Sequence, residues 1–216
     1  MERKFWEERW ENNQIGFHRS AVNPVLEKYF LKLNPENKTV FVPFCGKSLD
    51  MVWLLEKGFH VTGCEISRIA AVSFFKENSI PHTIETSGEF EIFSGKNIEI
   101  FCGDFFNLKN LFRSPVSVFD RASLVALPPP MRNSYASRMA DLLPADSSTL
   151  LITMEYPDGE MNGPPFSVKE EEVKTLYSGN FNISRIEVID VFSENPQFKE
   201  RGITSINEKV YHLVRR

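Results

Sequence analysis

Thr39-Val40-Phe41-Val42-Pro43-Phe44-Cys45-Gly46-Lys47-Ser48-Leu49-Asp50 decides the architecture. Its opening run of β-branched and aromatic residues reads as a short buried strand. A turn containing glycine follows. Leu49, Val52, Trp53 and Leu55 then fall on helical spacing, with Gly58 just past the helix end. The same order recurs downstream. His60–Glu65 reads as a second strand and Ile69–Glu77 as a helix; Ile98–Cys102 and Val116–Phe119 are the third and fourth strands. A helix around Met131–Leu143 leads to the fifth strand, Thr149–Glu155. Strands separated by helix-length segments argue for βαβ units and a parallel sheet.

The two ends of the chain depart from this rhythm. Residues 2–13 predict a short amphipathic helix carrying Phe5, Trp6 and Trp10, and Asn23-Pro24 opens a second with Val25, Leu26, Tyr29, Phe30 and Leu33. At the other end a helix at Val168–Tyr177 leads into two strand-like runs, Phe181–Phe192 and Glu208–Val214. The polar loop between them carries no helix signal, which predicts an antiparallel hairpin at the sheet edge. The expected fold is α/β: a Rossmann-like three-layer sandwich whose mostly parallel, seven-stranded sheet ends in a C-terminal hairpin. No linker, repeat or low-complexity tract divides residues 1–216, so one domain is expected.

Composition narrows the function classes. The 216 residues carry 25 basic and 29 acidic side chains, a net charge of −4, with the signs interspersed. No Lys/Arg block is present to neutralise a row of phosphates, which disfavours a nucleic-acid partner. The N-terminus is charged and has no apolar stretch of signal-peptide length, and no run approaches a membrane span. The 3 cysteines are widely spaced and without metal-ligand spacing, so free thiols, no metal and a cytoplasmic location are expected. The 19 Phe either fill a core or wall a pocket for a flat ring.

In doubly wound sheets ligands sit beyond the carboxyl ends of the strands, so strand ends are where chemistry is sought. Gly46 lets a ligand approach the first turn, and Glu65, about twenty residues on, has the spacing of a carboxylate that accepts both ribose hydroxyls of an adenosine. A solvated strand-end carboxylate is the alternative. Gly46-Lys47-Ser48 imitates a phosphate-binding loop, but that motif needs a glycine where Phe41 stands. Gly103-Asp104-Phe105-Phe106 offers a carboxylate or amide to an adenine amine and a ring to its face, or is a turn aspartate followed by core aromatics. Arg121, after Asp120 at the end of strand four, is costly to bury unpaired. Its partner is a cofactor carboxylate, a substrate thiolate, ring nitrogen or carboxylate, or an internal acid such as Asp120. Asp120-Arg121-Ala122-Ser123 also lacks the Asn/Asp-Pro-Pro-aromatic motif of DNA adenine methyltransferases.

Taken together, these residues resemble the thiopurine S-methyltransferase family. Trp6-x-x-x-Trp10 with Ile15-Gly16-Phe17-His18, then Val42–Met51, Val61–Ser67, Cys102–Phe106, Asp120-Arg121-Ala122 and Gly163-Pro164-Pro165-Phe166 follow its blocks in order, almost end to end. The compact N-terminus is similar to the bacterial branch. The resemblance implies a class I methyltransferase using S-adenosylmethionine, with cofactor contacts from Trp10, Phe44, Glu65 and Arg121, and further from Trp6, Asp104 and Phe105. It implies that Phe17 packs on the substrate with Arg121 beside it. Phe44 departs from the pattern, standing where many relatives carry leucine, which puts the shape of the cofactor pocket in question.

The implied reaction is in-line attack of an aromatic or heterocyclic thiol on the activated methyl, leaving S-adenosylhomocysteine. A low-pKa thiol is already thiolate, so no side-chain base and no metal are required. Aromatic faces favour the sulfonium cation, and residues 1–22, with Trp6, Trp10 and Phe17, form an expected lid. The partner is a small-molecule thiol, and a monomer in the cytoplasm is expected. Selenium or tellurium compounds as acceptors, or a non-catalytic cofactor-binding module, are the alternatives.

Overall fold

The computed structural model describes residues 3–33, 38–193 and 195–216. In chain order its strands are β1 (Thr39–Pro43), β2 (His60–Glu65), β3 (His82–Ser87), β4 (Phe90–Gly95), β5 (Ile98–Cys102), β6 (Ser117–Arg121), β7 (Ser148–Glu155), β8 (Phe181–Asp190) and β9 (Asn207–Arg215). The helices are α1 (Arg3–Glu11), α2 (Pro24–Leu33), α3 (Leu49–Glu56), α4 (Arg68–Glu77), α5 (Pro129–Leu142), α6 (Glu170–Tyr177) and α7 (Pro196–Glu200). The strands form one sheet in the order β3-β4-β5-β2-β1-β6-β7-β9-β8.

The five central strands, β5, β2, β1, β6 and β7, pair in parallel as their apolar runs predict. Beyond them β9 runs antiparallel to β7, and β8 antiparallel to β9, which is the C-terminal hairpin. The expected seven strands are corrected to nine, because β3 and β4 add an antiparallel hairpin on the β5 side. Every residue of β3 is exposed and only Ile84 among them is strongly apolar, so this edge strand buries no face that a sequence pattern would record. The connection between β8 and β9, expected without a helix, carries the five-residue α7. Pro196 stands at its first turn, a start signal that five polar-rich residues cannot extend.

Alternation along the central strands divides the core between the two faces. Val40 and Val42 of β1 and Leu150 and Ile152 of β7 meet Leu26, Phe30, Leu54 and Phe74 from α2, α3 and α4. Phe41 and Leu151 point the other way, onto Tyr135 and Met139 of α5 and Val173 of α6. Helix α2 is fixed at its start: Asn23 Oδ1 accepts the Val25 amide at 2.8 Å, while the Asn23 amide donates to Asp50 Oδ1 at 2.7 Å.

Phe30 is fully enclosed, edge-on to Phe59 at 5.6 Å and to Phe119 at 6.4 Å. Phe30→Ala should cost about 3–5 kcal/mol, the range for emptying a buried phenylalanine site. Urea unfolding measures this as a lowered midpoint at unchanged slope.

Candidate active site

The carboxyl ends of the parallel strands converge on one mouth. At the tip of β2, Glu65 is 5% exposed. Its Oε2 accepts the Gly46 amide and its Oε1 the Ser67 amide, both at 2.8 Å. Burial raises the pKa of this carboxyl, and the amides of Ser67, Gly46 and Ile66 oppose the rise. Each oxygen keeps a further lone pair for a hydroxyl donor. Gly46 holds φ at +53°, and a Cβ there would stand 3.3 Å from the Trp10 ring. The first turn is thus shaped to leave room between its backbone and the indole. Beside Glu65, a cleft of about 310 Å³ opens among Ile66, Phe90, Cys102, Arg3 and Glu7.

The N-terminal segment closes over this mouth. Trp10 is buried, and Phe17 lies edge-on to it at 5.6 Å and to Trp6 at 5.8 Å. Arg121, the last residue of β6, reaches the segment from below: its two terminal nitrogens donate to the Phe17 carbonyl at 3.4 and 3.3 Å. These bonds are long, and no salt bridge joins Arg121 to a carboxylate among the described residues. Burial lowers its pKa, with Asp50 and Glu208 opposing from a distance. Asp120, the internal partner considered for Arg121, instead accepts the Tyr135 hydroxyl at 2.8 Å. A half-buried guanidinium with only a carbonyl to hold is a ready site for an anion.

The other expected residues are placed less openly. Phe44 follows β1 with φ at +47°, and its ring meets Phe105 at 5.3 Å and Tyr135 at 5.5 Å. Asp104 Oδ1 caps the turn after β5 by accepting the Phe106 amide at 2.9 Å, and Phe105 is enclosed in the core. The Asp104 Oδ1 thus serves the turn and the Phe105 ring the core, while Asp104 itself is only partly buried. The Gly163–Phe166 loop is brought to the end of β6 by the Phe166 amide, which donates to the Val125 carbonyl at 2.7 Å. Tyr135 and Ser123 escaped the sequence reading. The Ser123 hydroxyl donates to the Pro43 carbonyl at 2.9 Å, across 80 residues of chain. Only tertiary proximity reveals such a tie.

These groups fit S-adenosylmethionine: a buried carboxylate for ribose hydroxyls, indole and phenyl rings for a sulfonium, and a guanidinium lacking an anion for a carboxylate. Among the described residues no cluster of three or more His, Cys, Asp or Glu is arranged to hold a metal.

Comparison with known proteins bears on the same point. The profile of the family described as thiopurine S-methyltransferase (TPMT) matches residues 1–216. The chain belongs to the thiopurine S-methyltransferase family. Proteins named thiopurine S-methyltransferase from Shewanella piezotolerans and Nitrosospira multiformis are each 43% identical to it, over 221 and 218 residues. The alignments cover 100% of this chain and 100% and 99% of those proteins. Membership of the thiopurine S-methyltransferase family makes it an S-adenosylmethionine-dependent S-methyltransferase, the enzyme class that the sequence blocks resembled.

Solved structures support the fold. The 1,6-didemethyltoxoflavin-N1-methyltransferase of Burkholderia thailandensis, with bound S-adenosylhomocysteine, superposes with a TM-score of 0.65 at 14% identity. That match covers 99% of this chain and 86% of that one. An S-adenosylmethionine-dependent methyltransferase from Anabaena variabilis gives 0.63 at 15% identity, covering 99% and 95%. Their fold is the class I methyltransferase fold.

Two outcomes follow from this geometry. Gly46→Ala forces a Cβ into the left-handed region and against Trp10, and should lower stability by about 1–2 kcal/mol in urea unfolding. Asp120 is 1% exposed, and burial lifts its carboxyl to about 6. A carboxyl whose folded pKa is raised holds its proton longer when folded, so wild type loses stability as pH rises from its unfolded value to about 6. Asp120→Asn keeps the shape and removes the titration. Its stability relative to wild type should therefore rise between pH 4 and pH 6.5, by up to ~3 kcal/mol, as denaturation at a series of pH values would show.

Proposed function

We propose that this protein transfers the methyl group of S-adenosylmethionine to the sulfur of small aromatic and heterocyclic thiols, thiopurines among them. The products are S-adenosylhomocysteine and a thioether. The observation that carries this reading is Arg121: a half-buried cation at the strand mouth, beside Phe17, with no carboxylate bonded to it among the described residues. Such a group favours the thiolate over the thiol, and thiolate is the nucleophile.

The remaining roles follow from position. Bound S-adenosylmethionine supplies an electrophilic methyl group on a sulfonium. Glu65 takes the ribose hydroxyls, and Trp10, Phe44 and Arg121 flank the methionine portion. Trp6 and the Asp104-Phe105 turn complete the cofactor contacts, with the adenine lying toward the cleft beside Ile66 and Cys102. Phe17 packs on the acceptor ring, while residues 1–22 act as a lid that excludes water and fixes the line of attack. Positioning supplies most of the rate when the acceptor arrives as thiolate.

The interspersed charge gives no footing for nucleic acid, and no helix among the described residues is long and apolar enough to cross a membrane. We infer a monomer that works on small molecules in the cytoplasm, without a metal.

Incubation with S-adenosylmethionine and 6-mercaptopurine should yield the S-methylated product by mass spectrometry. Glu65→Ala should abolish cofactor binding in calorimetry. Arg121→Ala should raise KM and lower kcat/KM by about ten- to a hundredfold, the equivalent of one hydrogen bond to a charged group. An unchanged kcat/KM in that variant would remove Arg121 from the acceptor site.

A further inference from the structure

A thiolate acceptor needs no base, but a thiol that is still protonated at working pH does, and the mouth contains a group placed to serve it. The peptide between Phe17 and His18 is held from both sides. Its carbonyl takes the Arg121 fork at 3.3 and 3.4 Å, and its amide donates to the Ile15 carbonyl at 2.8 Å. His18 is therefore fixed one residue from the ring expected to pack on the acceptor, and beside the guanidinium expected to hold its sulfur. Its ring is half-buried and has no hydrogen-bond partner among the described residues.

Several other candidate proton acceptors are engaged or lie away from the mouth. Of the 4 histidines, His60 begins β2, and His82 pairs with Gly95, the last residue of β4, which in turn pairs with Ile98 at the start of β5. His212 bonds the hydroxyl of Ser148, the first residue of β7. All three lie at the amino ends of the parallel strands, across the sheet from the mouth. At the mouth itself both oxygens of Glu65 hold amides, and Asp50 accepts from Asn23 and Ser48. Asp104 caps its turn, Asp120 is closed in with Tyr135, and Glu155 is held by Lys209 at 2.6 Å. Cys45, Cys64 and Cys102 are buried thiols whose pKa burial raises.

We propose that His18 is a catalytic residue: it accepts the proton of an acceptor S–H whose pKa lies above the working pH. The inference rests on the thiol-methylating reading above. In the step the S–H bond breaks and the proton passes to an imidazole nitrogen. The electron pair left on sulfur forms the new S–C bond as the methyl leaves the sulfonium, and the imidazolium then gives its proton to water. Burial lowers the pKa of this imidazole, helped by Lys47 of the first turn and Arg121 of β6 and opposed by Glu77 of α4 and Asp50 of α3, which favours the neutral ring. Neutral imidazole is the form that a base requires.

The test compares two acceptors in wild type, His18→Gln and His18→Ala. One is 4-nitrothiophenol, which is thiolate at assay pH. The other is phenylmethanethiol, with a pKa at or above the ~8.5 of a free cysteine. The ratio of kcat/KM for the weak thiol over the acidic one should fall about a hundredfold in both variants, the lower end of general-base effects. The wild-type profile for the weak thiol should lose activity as pH falls through a limb below about 6.5, and that limb should vanish in His18→Gln. Binding of S-adenosylhomocysteine by calorimetry confirms that the variants remain folded. Equal losses on both thiols with binding retained would make His18 a packing residue and overturn the assignment. Methylation of neither thiol by wild type would instead bring down the acceptor reading, and this inference with it.

Discussion

The carboxylate of Glu65, enclosed at the tip of β2, takes one amide from the turn after β1 and another from the start of α4. An ion buried this deeply survives only if its oxygens are hydrogen-bonded, so the two neighbouring turns must stand where they do. That requirement sets Gly46 in the left-handed region and opens the gap that Trp10 caps. It also places Ser67 as the residue whose hydroxyl faces the Ala70 amide at the head of α4. One charge thus fixes the first turn, the second turn and the floor beneath the N-terminal segment.

Phe44 and Ala122, neither of them glycine, take positive φ just after the neighbouring strands β1 and β6. A left-handed side chain costs roughly 1–2 kcal/mol, and two so close together need compensation. It comes from packing and from a tie between the turns. The Phe44 ring is seated between Phe105 and Tyr135, and the Ser123 hydroxyl holds the Pro43 carbonyl. The strain turns backbone toward the mouth on both strands, where a regular strand would carry it past. Backbone held in this way loses little freedom when a ligand arrives.

The parallel core is legible because β1 and β7 are largely apolar runs buried on two faces, and the helix-length segments between strands repeat. By the same physics β3 was not legible: His82-Thr83-Ile84-Glu85-Thr86-Ser87 buries nothing and is held by backbone pairing to β4. Helix α7 is too short for any repeat to show. Glu65 could be found because its distance from Gly46 reflects the length of one strand–helix–strand unit. Arg121 could be flagged as needing an anion, while the carbonyl that it holds could not, since Phe17 lies 104 residues away in the chain. Tyr135 reads as one more helix residue until the fold sets its hydroxyl on Asp120. Spacing within one βα unit is written in the sequence; contacts between distant units are not.

That separation of 104 residues also bears on the order in which the molecule can assemble. The hairpin of β3 and β4 closes over a few residues, as does each strand–helix turn, and such local contacts form early at small entropic cost. Phe17 can meet Arg121 only once β6 has found its place in the sheet, between β1 and β7. A contact of that sequence separation carries a larger loop-closure cost than any hairpin or strand–helix turn of the fold. During synthesis the segment that closes the mouth leaves the ribosome before the strand it latches to, and waits for the 104 residues between Phe17 and Arg121 before it has anything to close upon.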